Sequence, residues 1–291
     1  MGGVVTISDM RYPRLLREIK SPPEILYYKG NWDSSIFENC LAVVGSRRMT
    51  TYGKLITNKL VFEIARAGVP IVSGFMFGID ATAHKAAIDA GGRTIAVMPC
   101  GIDMIHPGYQ EDLYKEILEH KGLIISEFEG THPPGLWTYP KRNKIVAGLS
   151  YATMVVEAGQ KSGSLITAGL AKKYKRRLFA VPGPLTSALS KGTVQLIKEG
   201  AEIVISAKDM LAGYDVDIGA GLVPAQIKGL NELEQSIIKK LQEEPMEIDV
   251  LTRSIGAVHE PPLHASEIAT TLSLMQIKGL VFEEGGKYYV D

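Results

Sequence analysis

The chain has 291 residues, 45% apolar and 22% charged, with 32 Lys/Arg against 32 Asp/Glu. That composition excludes a largely disordered chain, no apolar run reaches the roughly 18–20 residues of a membrane span, and the two distant cysteines, Cys40 and Cys100, lack CxxC or Cys/His spacing and read as core thiols. The charge is uneven: residues 225–291 hold 6 of the Lys/Arg and 11 of the Asp/Glu, a balance of −5 that leaves +5 on the first 224 residues, so the larger part is the basic one.

The first residues, MGGVVTISDMRYPR, lack the basic-then-apolar order of a secretory leader, and a cytoplasmic protein with no membrane attachment is expected. Residues 12–20 read as a short helix. Ser21-Pro22-Pro23 followed by Glu24-Ile25-Leu26-Tyr27-Tyr28 reads as a turn and an extended segment, so residues 1–35 form an N-terminal arm that adds an edge. From residue 36 apolar runs alternate with helical stretches: LAVVG, TNKLVFEIARAG, VPIVSG, ATAHKAAIDAG, TIAVMP, LYKEILEHKG, LIISEF, ATMVVEA, SLITAGLAKKYK, RLFAVPG and TVQLIKEGAEIVI. Each strand reads as a near-continuous apolar run rather than an alternating one, as in a parallel sheet covered by helices on both faces. The predicted fold class is α/β, an extended Rossmann-like doubly wound sheet over residues 36–212, with a Gly-rich linker over 213–229. Residues 230–291 read as three helices, NELEQSIIKKLQEE, EIDVLTRSIG and HASEIATTLSLMQIKG, the last two joined by a Pro-containing connection. LVFEEGGKYYV follows, with a Gly285-Gly286 hairpin turn, which describes a small C-terminal winged-helix domain.

Four loops in the large domain carry chemistry. After LAVV stand Gly45, Ser46, Arg47 and Arg48, at the place where α/β folds bind ligands beyond the carboxyl ends of strands. Glycine permits close backbone approach, the next helix offers free N–H groups to an anion, and two arginines can grip a phosphate bidentately. A turn with two solvated arginines is the competing reading of this segment alone. The second strand ends in Ser73, Gly74, Phe75, Met76, Phe77, Gly78, Ile79 and Asp80. Asp80 precedes an Ala-rich helix and reads as its N-cap, while Phe75 and Phe77 read equally as core or as a stacking surface for bases. Lys141, Arg142, Asn143 and Lys144 open a helix behind Trp137 and Tyr139. Cations oppose the positive end of a helix dipole unless an anion joins them, and basic residues interleaved with rings suit single-stranded nucleic acid.

The last of the four, Ser162, Gly163 and Ser164, is a polar loop with Ser164 as the N-cap of the next helix. Glu157 has no paired nucleophile and reads as a brace for loop backbone. Lys172, Lys173, Lys175, Arg176 and Arg177 read as a solvated helix end. His84, His106 and His132 lack ligand spacing, and GxGxxG, GxxxxGK[ST] and GxSxG are all absent. No cofactor, metal or hydrolytic site is therefore expected.

Taken in order, VVGSRR, SGxxxGID, TIAVxxCGID, SEF, KRNKIVAGLS, VVEAGxxSGSLITA, FAVPG and GTVQLIKEGA resemble the bacterial DNA-processing protein A family, also called Smf, over residues 12–211. The resemblance implies a non-catalytic protein that binds and protects incoming single-stranded DNA. It further implies loading of a RecA-type recombinase during natural transformation and a homodimer formed through the Rossmann-like domain. Carried over by position, Ser46, Arg47 and Arg48 match the family's phosphate-binding loop, and Lys141, Arg142, Asn143 and Lys144 match its Arg-Asn-Arg basic stretch. The chain departs at Met76 and Phe77, where the family often has Ala and then Lys or Arg, and at Lys144, which keeps the charge without the planar fork of Arg. No sterile-alpha-like domain is expected ahead of the arm, and the acidic balance of the winged helix argues against DNA binding there.

The expected site comprises Gly45, Ser46, Arg47, Arg48, Ser73, Gly74, Phe77, Gly78, Lys141, Arg142, Asn143, Lys144, Ser162, Gly163 and Ser164. Two other function classes compete. Rossmann nucleotide phosphoribohydrolases carry PGGxGT, which Pro182-Gly183-Pro184 lacks. A winged-helix transcription regulator needs a basic recognition helix, and residues 266–279 hold only Lys278.

Overall fold

The computed structural model describes residues 2–214, 231–256, 265–277 and 280–290. Two compact units divide the chain, Met1–Gly219 and Ala220–Asp291. Of the linker expected over 213–229, only Gly213 and Tyr214 are among the described residues, and the Pro-containing connection lies outside them.

In the first unit, β1 (Gly2–Thr6), α1 (Arg14–Arg17) and β2 (Ile25–Gly30) precede β3 (Leu41–Val44), α2 (Thr51–Arg66), β4 (Ile71–Ser73), α3 (Ile79–Asp89), β5 (Thr94–Val97), α4 (Glu111–Glu119) and β6 (Leu123–Ser126). Then come α5 (Thr138–Leu149), β7 (Ala152–Val155), α6 (Gly163–Lys173), β8 (Arg177–Ala180), α7 (Lys191–Lys198), β9 (Glu202–Ile203) and α8 (Ala207–Leu211). The described strands form one sheet in the order β1-β2-β6-β5-β4-β3-β7-β8-β9. Pairings from β6 across to β9 are parallel, while β1 and β2 run antiparallel at the edge.

Successive strand residues face opposite ways, and both faces are dry. Ala42, Val44, Leu178 and Ala180 join Leu16, Ile145, Leu149 and Ala168 in one core, and Leu41, Val43, Phe179 and Val181 join Ile64, Ala83 and Met210 in the other. Burial of each Leu, Ile or Val contributes about 1.5–3 kcal/mol, which is why continuously apolar four-residue strands are stable only in a covered sheet.

The sheet extends beyond the 36–212 span that the alternation predicts. β2 pairs with β6, Tyr28 opposite Ile125, and β1 pairs with β2, so the arm is part of the sheet. The helix expected over 12–20 shrinks to α1, because Tyr12 is held by its hydroxyl, which donates to the Pro23 carbonyl at 2.7 Å, and Ser21 turns the chain with φ +59°.

From β3 the chain winds outward through β4, β5 and β6. It then crosses back over α5 to β7, on the other side of β3, and continues to β8 and β9. The order reverses between β3 and β7. Doubly wound sheets bind ligands in the crevice at that reversal.

The second unit contains α9 (Glu232–Glu243), β10 (Met246–Glu247), α10 (Ile248–Gly256), α11 (Ala265–Ile277), β11 (Val281–Glu284) and β12 (Lys287–Val290), with sheet order β10-β12-β11. Asn231 and Glu234 cap α9 reciprocally, at 2.8 and 3.0 Å. Ile237, Leu241, Leu251, Ile268 and Leu272 form its core. Gly285 and Gly286 turn β11 into β12 with φ of +62° and +81°, values that a two-residue hairpin turn requires and glycine supplies.

Candidate functional site

A cleft of about 700 Å³ opens beyond the carboxyl ends of β3, β4 and β7, within the ~300–1,000 Å³ typical of ligand sites. Gly45, Ser46, Arg47 and Arg48 line it after β3, and Gly74, Met76 and Asp80 after β4. The start of α5 contributes Leu136, Tyr139, Pro140, Arg142 and Asn143, and the start of α6 contributes Gly159, Lys161, Ser162, Gly163 and Ser164. Ile166 and Leu189 add apolar wall. The loops that read separately as anion-friendly in the sequence thus meet around one space.

Buried polar groups hold these loops. Glu157, one residue past Val156, is 2% exposed. Its Oε2 accepts from the Thr50 N–H at 2.9 Å and its Oε1 from the Thr50 hydroxyl at 2.6 Å. Thr50 in turn caps α2 by accepting from the Gly53 N–H at 3.1 Å. Gly53 leaves room for the carboxylate, since a Cβ there collides with it. Glu157 therefore braces loop backbone, as its lack of a nucleophile implies, and the loop it braces lies 107 residues earlier.

His84 does the same for the floor. Its Nε2 lies 2.6 Å from the Gly74 carbonyl, which only accepts, so the ring proton sits on Nε2 and Nδ1 faces the Thr94 hydroxyl at 2.7 Å. Burial lowers its pKa to about 4, with the Gly74 contact opposing the shift.

Arg142 is 5% exposed. Its Nη1 donates to the Val97 carbonyl at 3.3 Å and pairs with Asp80 Oδ2 at 3.7 Å, while its Nε is buried without a hydrogen-bond partner. Gly74 makes the room, because a Cβ there collides with the guanidinium. Burial raises the Asp80 carboxyl above its ordinary range and Arg142 opposes the rise.

Asp80 is therefore not the N-cap of α3. Gly78 is, at φ +70°, and Asp80 is the counter-ion beneath the cleft. Ser164 likewise is not the cap of α6; Ser162 is, accepting from the Ser164 N–H at 3.4 Å. Both differences are shifts of two residues, decided by backbone angles that composition does not encode.

Arg47 and Arg48 are exposed, and neither guanidinium has a hydrogen-bond or ion-pair partner among the described residues; Arg47 stands over the Tyr139 ring at 4.9 Å. Lys161 is exposed at the same cleft. Asp80 is the one acidic side chain among the described lining residues, and Arg142 already offsets it. The first residues of α6 line the same cleft and bring the positive end of its dipole to it. The result is a positive cleft with apolar walls.

Five of the expected site residues fall outside the lining. The Ser73 hydroxyl is buried and donates to the Val43 carbonyl at 2.6 Å. Gly78 packs on the backbone of Ser46 and Arg47. Phe77 lies on the surface, stacked on Tyr109, whereas Phe75 is core. Lys141 lies over the Phe128 and Trp137 rings at 5.7 and 5.3 Å, with Glu127 at 4.0 Å. Lys144 donates to the Ser21 carbonyl at 2.9 Å, tying α5 to the arm. The expected solvated run also has partners: Lys172 pairs with Glu199, Arg176 with Glu18 and Arg177 with Glu202. In the other direction, Lys161 was legible as a cation inside the Gly-Gln-Lys-Ser-Gly loop, whereas Leu136, Ile166 and Leu189 carry no sequence signal.

Residues 3–215 match the sequence model of a family described as DNA recombination-mediator protein A. The chain belongs to that family. Among the relatives of this mediator family, the Smf protein of Synechocystis is 33% identical over 98% of this chain and 79% of its own length. The DNA processing protein DprA of Bacillus subtilis is 40% identical over 71% of this chain and 69% of its own. In solved structures, DNA processing protein A of Streptococcus pneumoniae aligns with a TM-score of 0.68 at 38% identity, covering 72% of this chain and 74% of that one. The Helicobacter pylori protein, described by its mode of single-stranded DNA binding, aligns at 0.64 and 33%, covering 72% and 94%. No helix among the described residues is long and apolar enough to cross a membrane.

Proposed function

We propose that this mediator-family chain binds single-stranded DNA in the cleft between the β3 and β7 loops, protects it, and passes it to a RecA-type recombinase in the cytoplasm during natural transformation. The observation that carries the reading is the convergence of exposed Arg47, Arg48 and Lys161 with an α6 N-terminus on one cleft whose other walls are Leu136, Tyr139, Ile166 and Leu189. Cations and the positive end of a helix suit phosphate, and apolar walls suit an unpaired base. The relatedness to the Helicobacter pylori protein supports the same ligand.

A binding role without catalysis belongs to the same proposal. It is supported by the use to which the buried Glu157 carboxylate is put: it braces a loop by accepting from the Thr50 N–H and hydroxyl. We assign residues 36–212 to strand binding and, on its helix-strand-helix-helix-hairpin order, the second unit to a winged helix. Handover to a recombinase belongs to the same reading and is supported by the family's description as a recombination mediator, and action as a homodimer is carried only by the family resemblance of the sequence motifs.

The test is fluorescence anisotropy of a labelled oligothymidylate at two salt concentrations, with unlabelled duplex as competitor and Arg47→Ala alongside. Tight, salt-sensitive binding that duplex fails to displace and the variant loses is the expected result. No binding, or equal displacement by duplex, overturns it and favours nucleotide turnover.

A further inference from the structure

A pair of rings lies on the rim of the cleft, outside its lining. Phe77 and Tyr109 stack with centroids 4.8 Å apart and planes inclined by 14°, yet they remain 43% and 63% exposed. Large rings left in water at a fixed mutual geometry are held by something other than their own burial. Buried Gln110 donates its Nε2–H to the Phe75 carbonyl at 3.1 Å, which fastens the one-turn helix Gly108–Gln110 to the loop before α3. Gly78, next to Phe77, packs so closely on the Ser46 and Arg47 carbonyls that a Cβ collides with them, and the Ile79 N–H donates to the Ser46 carbonyl at 3.2 Å. The stacked pair and Arg47 thus share one rigid rim.

The rim is continuous with the cleft. Tyr139 lines the cleft, its hydroxyl lies 2.9 Å from His106 Nε2, and Arg47 stands over its ring. His106 is three residues before Tyr109, and Gly78, which packs on the Arg47 carbonyl, directly follows Phe77. Tyr139, Arg47, Tyr109 and Phe77 therefore form a row leading out of the site.

Resting on the single-strand reading above, we propose that the Phe77–Tyr109 pair is a base-stacking platform for a nucleotide leaving the cleft past Arg47. An aromatic face takes any unpaired base and ignores phosphate. Its contribution depends on the presence of bases and barely on salt, the opposite of what a cation supplies. A duplex, whose bases are already stacked, gains nothing from it.

Anisotropy titrations of the full chain with a labelled oligothymidylate, and with an abasic phosphodiester strand of equal length, test this in wild type, Tyr109→Leu and Tyr109→Phe. The wild type is expected to prefer the strand with bases. In Tyr109→Leu that preference falls by about tenfold, on the order of one base stack, while Tyr109→Phe, which keeps the ring, retains it. Unchanged affinity of both variants for the abasic strand reports an intact cleft. Equal base preference in wild type and Tyr109→Leu overturns the platform and leaves the single-strand reading standing. Failure of the wild type to bind either strand overturns both.

Discussion

Two basic motifs, Gly45-Ser46-Arg47-Arg48 and Lys141-Arg142-Asn143-Lys144, look alike in the sequence and behave differently in the fold. The first leaves both guanidiniums exposed at the cleft, with no ion pair among the described residues. The second turns its cations toward the protein: Arg142 toward Asp80 and Val97, Lys144 toward Ser21, and Lys141 toward Glu127 and two rings. A cation with a protein partner organises the site, whereas one without a partner is available to a ligand. Only Arg142 and Asn143 of the second motif reach the cleft lining at all.

The largest effect expected from this contrast is structural. Asp80→Ala leaves Arg142 charged and buried without its counter-ion, a loss of about 3–5 kcal/mol. Urea denaturation of the two proteins measures it, and a difference under about 1 kcal/mol removes the buried pair from the account of the site.

Next is a pH effect through His84, whose folded pKa is depressed to about 4 from an ordinary 6.5. The unfolded chain takes up the proton first as pH falls, so the stabilisation is complete above about pH 6.5 and is lost as pH falls towards 4. The change is on the order of 3 kcal/mol over that window. Thermal melts of the wild type and His84→Gln across it should show a flatter profile in the variant, and parallel profiles would place the titrating group elsewhere.

In binding, Arg47→Ala should weaken capture of oligothymidylate regardless of sequence and lower the salt slope by about one unit. An unchanged slope takes Arg47 out of the phosphate contacts. The smallest effect is expected from Lys144→Ala. Its ammonium is held by the Ser21 carbonyl, so the slope should stay at the wild-type value while the arm loosens slightly. A slope lowered by a full unit would show that Lys144 leaves Ser21 to meet DNA, and would erase the contrast between the motifs.

Much of the parallel sheet was legible because β3, β5, β6 and β7 are predominantly apolar runs, buried throughout and separated by helices. β1, an edge strand that opens on Gly2-Gly3 and is only partly buried, was harder to read, and β2 was legible as an extended segment but not as a partner of β6. The brace formed by Glu157 was legible as an absence of catalytic partners, but its contact with Thr50 spans 107 residues and leaves no local trace.

The sequence by itself determined which loops carry glycine, hydroxyl and cationic groups, since these follow from residue type at strand ends. Tertiary structure alone decided that β7 returns to the far side of β3, so that loops more than a hundred residues apart share one cleft. It also decided which cations stay free. Charge is a property of a residue, but availability depends on what the fold places within hydrogen-bonding reach, and that is set by strand order and burial rather than by neighbours in the chain.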